Sequence, residues 1–274
     1  EQIANAAALF SVCVEVEFRP AMQYNELKLG MTSPKYEAVR GNAMACNKDS
    51  FERMSDSVLV MIPLTLSGGL QDAYSYFVRD RVFANAQTGN IILMSHELVS
   101  GNFGGCLRYL IPVLAFALGV LAAGVICSFH PGGSRIHWRQ MVLAGEVILL
   151  AMVGLMPGEW NWLANALTSF SCAMQVQSFR SVEGSAYAST MCIGNLRSGM
   201  AHLSAALCGR DRTQLLEAGK YGAIILLFAI GGGMGSVLTR YMGLRTIWVS
   251  CGLLMAGCLL MGLGGGPADR VSRP

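Results

Sequence analysis

"FANAQTGNIILMSHEL" spans residues 83–98 and decides the fold. It lies between two apolar stretches. It is too polar for an ordinary lipid-facing helix and too apolar for an ordinary loop. "ASTMCIGNLRSGMAHL" (188–203) has the same layout, with Asn195 standing 105 residues after Asn90. Each stretch carries a Gly-Asn step, Gly89–Asn90 and Gly194–Asn195, flanked by hydrophobic segments.

The surrounding composition is that of a lipid environment. The chain is 53% hydrophobic and 14% charged, against roughly 25% charged in soluble domains. A net charge of +3, with no basic run interleaved with aromatics, gives no footprint for nucleic acid. Nine cysteines include no Cys-x-x-Cys pair, and their number is odd. They read as small buried hydrophobes rather than a disulfide framework or a zinc site.

Residues 1–56 differ from the rest. They hold six of the twenty Lys and Arg residues, two prolines and no sustained period. No basic segment precedes the apolar run at 3–18, so a cleavable signal peptide is not expected. The first residue is Glu1, consistent with a fragment or an extended reading frame, with Met31 and Met54 as alternative starts. This region is expected to be a mobile cytosolic tail, and 266–274 a C-terminal one.

A membrane helix needs about 20 mostly apolar residues. Six segments qualify: 57–78, 108–129, 139–157, 161–179, 221–241 and 246–265. Trp138, Trp160, Trp162 and Trp248 lie near segment ends, where amphipathic indoles meet headgroups. With the two polar-step segments, the membrane domain 57–265 divides into two units, 57–157 and 161–265. Asp72 falls opposite Gln177 at the same offset that relates Asn90 to Asn195, and "FALG" (116–119) answers "FAIG" (228–231). Such internal repeats are typical of transporter folds, although duplication alone says nothing of activity.

Lys and Arg favour the cytoplasmic side. If all eight segments cross, the loops hold six such charges inside and seven outside. If the polar-step segments dip in and return, the balance becomes eight against five. The expected fold is therefore an all-α transmembrane bundle of two inverted repeats. It has six full spans plus two polar broken or re-entrant helices, with eight spans as the alternative.

"GGLQDAYSYFVRDRVFANAQTGNIILM", "FALGVLAAG" and "SCAMQVQSF…STMCIGNLRSGMAHL" resemble the YoaK-like family of small bacterial membrane proteins. The resemblance covers about 57–265 and departs at Ile193, where the second step lacks its threonine. It implies a multi-pass protein of the bacterial plasma (inner) membrane. The family is largely uncharacterised, and the resemblance adds only a suspicion of transport.

Several residues are candidates for chemistry. Asp72 reads either as a cation or proton site or as a helix-end acid paired with Arg79 or Arg81, since intramembrane charge is costly unless paired or used. Asn90 and Asn195, with Gln87, Thr88, Gly89 and Gly194, read either as ligand contacts or as structural hydrogen bonds. Gln175 and Gln177 add uncharged polar groups. Glu146, in "MVLAGEVILLAM", is expected to be neutral unless Arg or His pairs with it. It is a candidate for proton coupling or for a buried hydrogen bond. Arg197 reads as an ion-pair partner of Asp72 or Glu146, or as a substrate contact. Gly231 and Gly235, and Ala115, Gly119 and Ala123, read as faces for close helix packing.

No Gly-x-Ser-x-Gly, His-Glu-x-x-His or phosphate-binding loop occurs, and the four histidines have no ligand spacing. No catalytic residue, metal or cofactor is expected. The expected function is a transporter or permease of a small solute, with a site at the repeat interface. The alternative is a non-transporting membrane interaction protein. The expected partners are the lipid bilayer and a small solute, with no nucleic acid and with a homo-oligomer left open.

Overall fold

The computed structural model describes residues 56–129, 138–182, 185–209 and 211–264. The tails expected over 1–56 and 266–274 lie outside these residues, Asp56 excepted. The described chain is all-α. The helices are α1 (Val58–Val78), α2 (Gln87–Val99), α3 (Phe103–Phe129), α4 (Trp138–Val153), α5 (Asn161–Ser178), α6 (Cys192–Gly209), α7 (Arg212–Met242) and α8 (Ile247–Gly264). A two-residue antiparallel ribbon, Ser181–Val182 with Ser185–Ala186, precedes α6.

Local chemistry sets the ends. α2 stops where Ser100 is followed by Gly101 at φ 75°, and α7 stops at Gly243 at φ 55°, the left-handed region that ends helices cheaply only at glycine. Asp211 caps α7, accepting from Thr213 N at 2.8 Å and Thr213 Oγ1 at 2.7 Å. The Thr213 hydroxyl holds this exposed carboxyl below its ordinary pKa, and a negative charge suits a helix N-terminus.

α1 packs on α7 and α8, α5 on α3 and α4, α2 on α3, α6 on α7, and α4 on α8. The closest crossings use the small-residue faces. A Cβ at Gly231 would strike the carbonyl oxygen of Leu66, and one at Gly235 would sit 2.8 Å from Ala73 Cβ. On the other side, a Cβ at Gly119 would strike the carbonyl oxygen of Phe170. Backbone therefore meets backbone at α1–α7 and at α3–α5, as the sequence pattern predicts. The main apolar core joins α1, α4, α5 and α8 through Leu64, Leu143, Leu150, Ile247 and Leu254.

Polar side chains are buried beside that core, and large apolar side chains face outward. Ser67, Gln71, Ser75, Glu146, Ser169, Ser171 and Gln175 are fully buried. Leu107, Leu114, Leu118, Leu121 and Val125 on α3, and Leu226, Ile230 and Val237 on α7, are exposed. Two helical stretches among the described residues, Phe103–Phe129 and Arg212–Gly262, are long and apolar enough to cross a membrane. The other segments expected to span fall short of that measure. α4 has 16 residues, and the polar side chains that α1 and α5 bury lower their hydropathy.

The crossing contacts predict that Gly231→Leu will lower the thermal unfolding midpoint of detergent-purified protein by the equivalent of about 1–3 kcal/mol or more. Gly233→Leu, where a Cβ meets open space, will leave the midpoint near wild type.

Candidate functional site

The two Gly-Asn steps perform the same local task. Asn90 Oδ1 accepts from Phe83 N at 3.0 Å, and its Nδ2 donates to Phe83 O at 2.7 Å and to Gln87 Oε1 at 2.9 Å. Asn195 Oδ1 accepts from Ala188 N at 3.3 Å, and its Nδ2 donates to Ala188 O at 2.7 Å. Each amide clamps both backbone groups of the residue seven positions earlier and fastens a loop to the helix it enters. Asn suits this position because it offers a donor and an acceptor in one plane. Gln87 donates to Ala84 O at 2.8 Å. Gly89 lies against the Phe83 ring, whereas Gly194 opens to free space. Thr88 and Ile193 are both exposed, so the missing second hydroxyl removes nothing from the clamp.

The first loop is stitched to α1 above its Gly68–Gly69 pair. Asp72 Oδ1 accepts from Asn85 N at 2.7 Å. Asn85 Nδ2 donates to Gly68 O at 3.2 Å, and Ala84 N donates to Ser75 Oγ at 3.1 Å. Asp72 does not pair with either arginine expected to meet it. Arg81 is exposed. Arg79 turns toward α4 and α5, where it donates to Tyr74 OH, Asn161 Oδ1 and the carbonyls of Val153, Met156 and Pro157. Those carbonyls form the negative end of α4 and its exit, which suits a cation.

Glu146 is fully buried, and neither carboxyl oxygen has a hydrogen-bond partner among the described residues. Gln71 and Ser171 face it without completing a bond. Gln71 Nε2 is held instead by Ser67 Oγ and Ser250 Oγ, each at 2.9 Å, and its Oε1 accepts from Cys172 Sγ. Arg197 is exposed on α6. Among the described residues no ion pair joins it to Asp72 or Glu146, so the ion pair expected across the interface is absent there.

A cavity of about 450 Å³ opens beside the second Gly-Asn step. Phe116 and Val120 of α3, Gln177 near the end of α5, Arg180, and Gly194, Asn195 and Ser198 of α6 line it. It gathers three of the residues singled out from sequence: Gln177, Gly194 and Asn195. Asp72, Gln87, Thr88, Gly89, Asn90, Glu146 and Arg197 are not in its lining. Sequence reading missed Gln71, Asn85, Arg180, and the serines around Gln71. A signal for part of this exists, since Ser67, Gln71 and Ser75 recur every four residues, as do Ser171 and Gln175. That places each set on one face of its helix.

The chain matches, over residues 60–260, the family described as "Protein of unknown function (DUF1275)", and it belongs to that family. No curated protein and no solved structure matches it.

Asn90→Asp and Asn195→Asp keep the acceptor and lose the donor of each clamp. Each is expected to destabilise the fold by about 1–3 kcal/mol, read as a lowered unfolding midpoint in detergent. Thr88→Ala, at an exposed position, will leave the midpoint unchanged.

Proposed function

We propose that this chain is an integral membrane protein that carries a small, polar solute bearing an anionic group. Burial of polar side chains beneath an apolar exterior carries the membrane reading. Large contiguous apolar surface on a soluble monomer is unusual, whereas lipid solvates it without cost. Polar groups in such a protein must be satisfied within the bundle, and the Gln71 and Arg79 networks are arranged accordingly. The family match is compatible with the resemblance to YoaK-like proteins of the bacterial inner membrane.

The bundle reads as six spans, α1, α3, α4, α5, α7 and α8. At 13 residues, α2 is about 20 Å long, too short for a core of about 30 Å. On this reading α2 and its counterpart α6 lie at the edge of the bundle, each burying its asparagine and leaving most other side chains exposed, after loops held at membrane depth by protein. Two repeats, 57–157 and 161–265, are supported by the packing. Exchanging α1 with α5, α2 with α6, α3 with α7 and α4 with α8 turns the set of main helix contacts into itself. The matched Asn90 and Asn195 clamps, and the matched crossings of Gly119 and Gly231, support the same relation.

For the carrier reading, the supporting observation is the cavity lined by α3 of one unit and by α5 and α6 of the other. Repeat interfaces are where transporter sites lie. Arg180 is the charged side chain in its lining, and the first turn of α6 adds the partial positive charge of a helix N-terminus. Both favour an anionic group. A non-transporting interaction protein is the second reading, favoured by the complete burial of Glu146.

In cell fractions the protein is expected to stay with membranes through alkaline carbonate extraction; release to the supernatant would contradict membrane insertion. In proteoliposomes, uptake of at least one member of a pool of labelled carboxylates and phosphate esters is expected. Uptake should fall at least about tenfold in Arg180→Ala, a loss of about 1.4 kcal/mol. Absence of uptake across the pool would favour the interaction reading.

A further inference from the structure

We propose that the junction of α1 with the loops before α2 and α6 is a binding site for a monovalent alkali cation, held by Asp72 and neutral oxygens of Asn85 and Thr190. Both loops press on one point of α1. Asn85 Nδ2 reaches Gly68 O, and Thr190 sits so close that a Cβ at Gly68 would lie 2.7 Å from its methyl carbon and 3.3 Å from Ser189 O. One helical turn on, Asp72 Oδ1 takes Asn85 N. One turn back, Leu64 O takes Gln175 Nε2 of α5, which also bonds Ser189 Oγ at 2.9 Å.

The unmet polar groups here are oxygens. Asn85 Oδ1, Thr190 Oγ1, Gln175 Oε1 and Thr65 Oγ1 are buried and have no hydrogen-bond partner among the described residues. Asn85 Nδ2 already donates to Gly68 O, and Gln175 Nε2 to Leu64 O and Ser189 Oγ. Buried polar atoms normally find partners, and each exception needs an explanation. A region with spare acceptors, one carboxylate and no basic side chain bonded to it among the described residues calls for a cation. Hard oxygen ligands suit alkali and alkaline-earth ions rather than soft metals. A single carboxylate balances one positive charge. Among the described residues no cluster of three His, Cys, Asp or Glu side chains exists to hold a metal of higher charge.

The site makes a prediction that needs no transported solute. Detergent-purified full-length protein should unfold at a higher temperature in sodium chloride than in choline chloride at equal ionic strength, with a shift that saturates with sodium as ligand linkage requires. Radiolabelled sodium should bind in a scintillation proximity assay and be displaced by unlabelled sodium but not by choline. Asp72→Asn and Asn85→Ala should weaken the apparent sodium affinity by about tenfold or more, a loss of about 1.4 kcal/mol. Arg180→Ala, in the solute cavity, should leave sodium binding unchanged. Equal unfolding temperatures in the two salts, together with no displaceable sodium binding to wild-type protein, would overturn the proposal even if a variant fails to fold. Sodium binding without solute uptake would sink the carrier reading alone, and uptake without sodium binding would sink this one alone.

Discussion

Arg79 is a guanidinium with no exposed surface, and the interior is arranged around it. It donates to Tyr74 OH at 2.8 Å, Asn161 Oδ1 at 2.8 Å, Val153 O at 2.7 Å, Met156 O at 2.9 Å and Pro157 O at 3.2 Å. Its own carbonyl accepts from Asn165 Nδ2 at 2.7 Å. One side chain thus joins the end of α1 to the end of α4 and the start of α5. Among the described residues no carboxylate takes part. Carbonyls at the end of α4 disperse the charge, which a lone acid at that depth could do only at heavy desolvation cost. Removing the guanidinium would orphan several buried acceptors at once.

The turn that leaves α1 depends on that anchorage. Asp80 and Arg81 adopt φ 64° and 58°, a left-handed step unusual for residues other than glycine, asparagine or aspartate. Asn161 Nδ2 holds the turn by donating to Asp80 Oδ1 at 2.9 Å. The reversed chain then delivers Ala84 to Ser75 and Asn85 to Asp72 and Gly68, and Asn90 locks the loop from its far end. α6 is entered through the same Asn clamp, but Phe179 stands where α5 ends, buried in the apolar core with the Arg139 guanidinium 5.7 Å from its ring centroid. The two halves therefore share a clamp and a close helix crossing while differing in what fixes the preceding helix. The second half leaves a cavity beside its clamp.

Much of the fold is legible in the sequence because helices with an apolar exterior need long apolar runs and glycine faces need close partners. The helices lie where the apolar runs and polar steps place them, and Gly119, Gly231 and Gly235 meet backbone or Cβ atoms. The clamps are half legible. The paired Gly-Asn steps stand out, but that each asparagine binds the residue seven positions earlier depends on a loop path that spacing does not encode. Nearness in sequence makes Arg79 look like a partner for Asp72, and a left-handed turn that aspartate tolerates at 80 but Arg81 does not announce takes it elsewhere. The Gln71 network escapes a hydropathy reading because an average over a helix does not show which face its serines and glutamine share. Their four-residue recurrence is the available sign.

The proposed membrane reading requires an apolar exterior that faces lipid while the polar stripe is sealed inside. A nitroxide attached to Leu118→Cys, on the exposed face of α3, tests this directly in a lipid nanodisc by paramagnetic relaxation. Strong relaxation by membrane-soluble oxygen and little by a water-soluble nickel chelate is the predicted result. Strong relaxation by the nickel chelate would put this face in water and contradict a lipid-facing exterior.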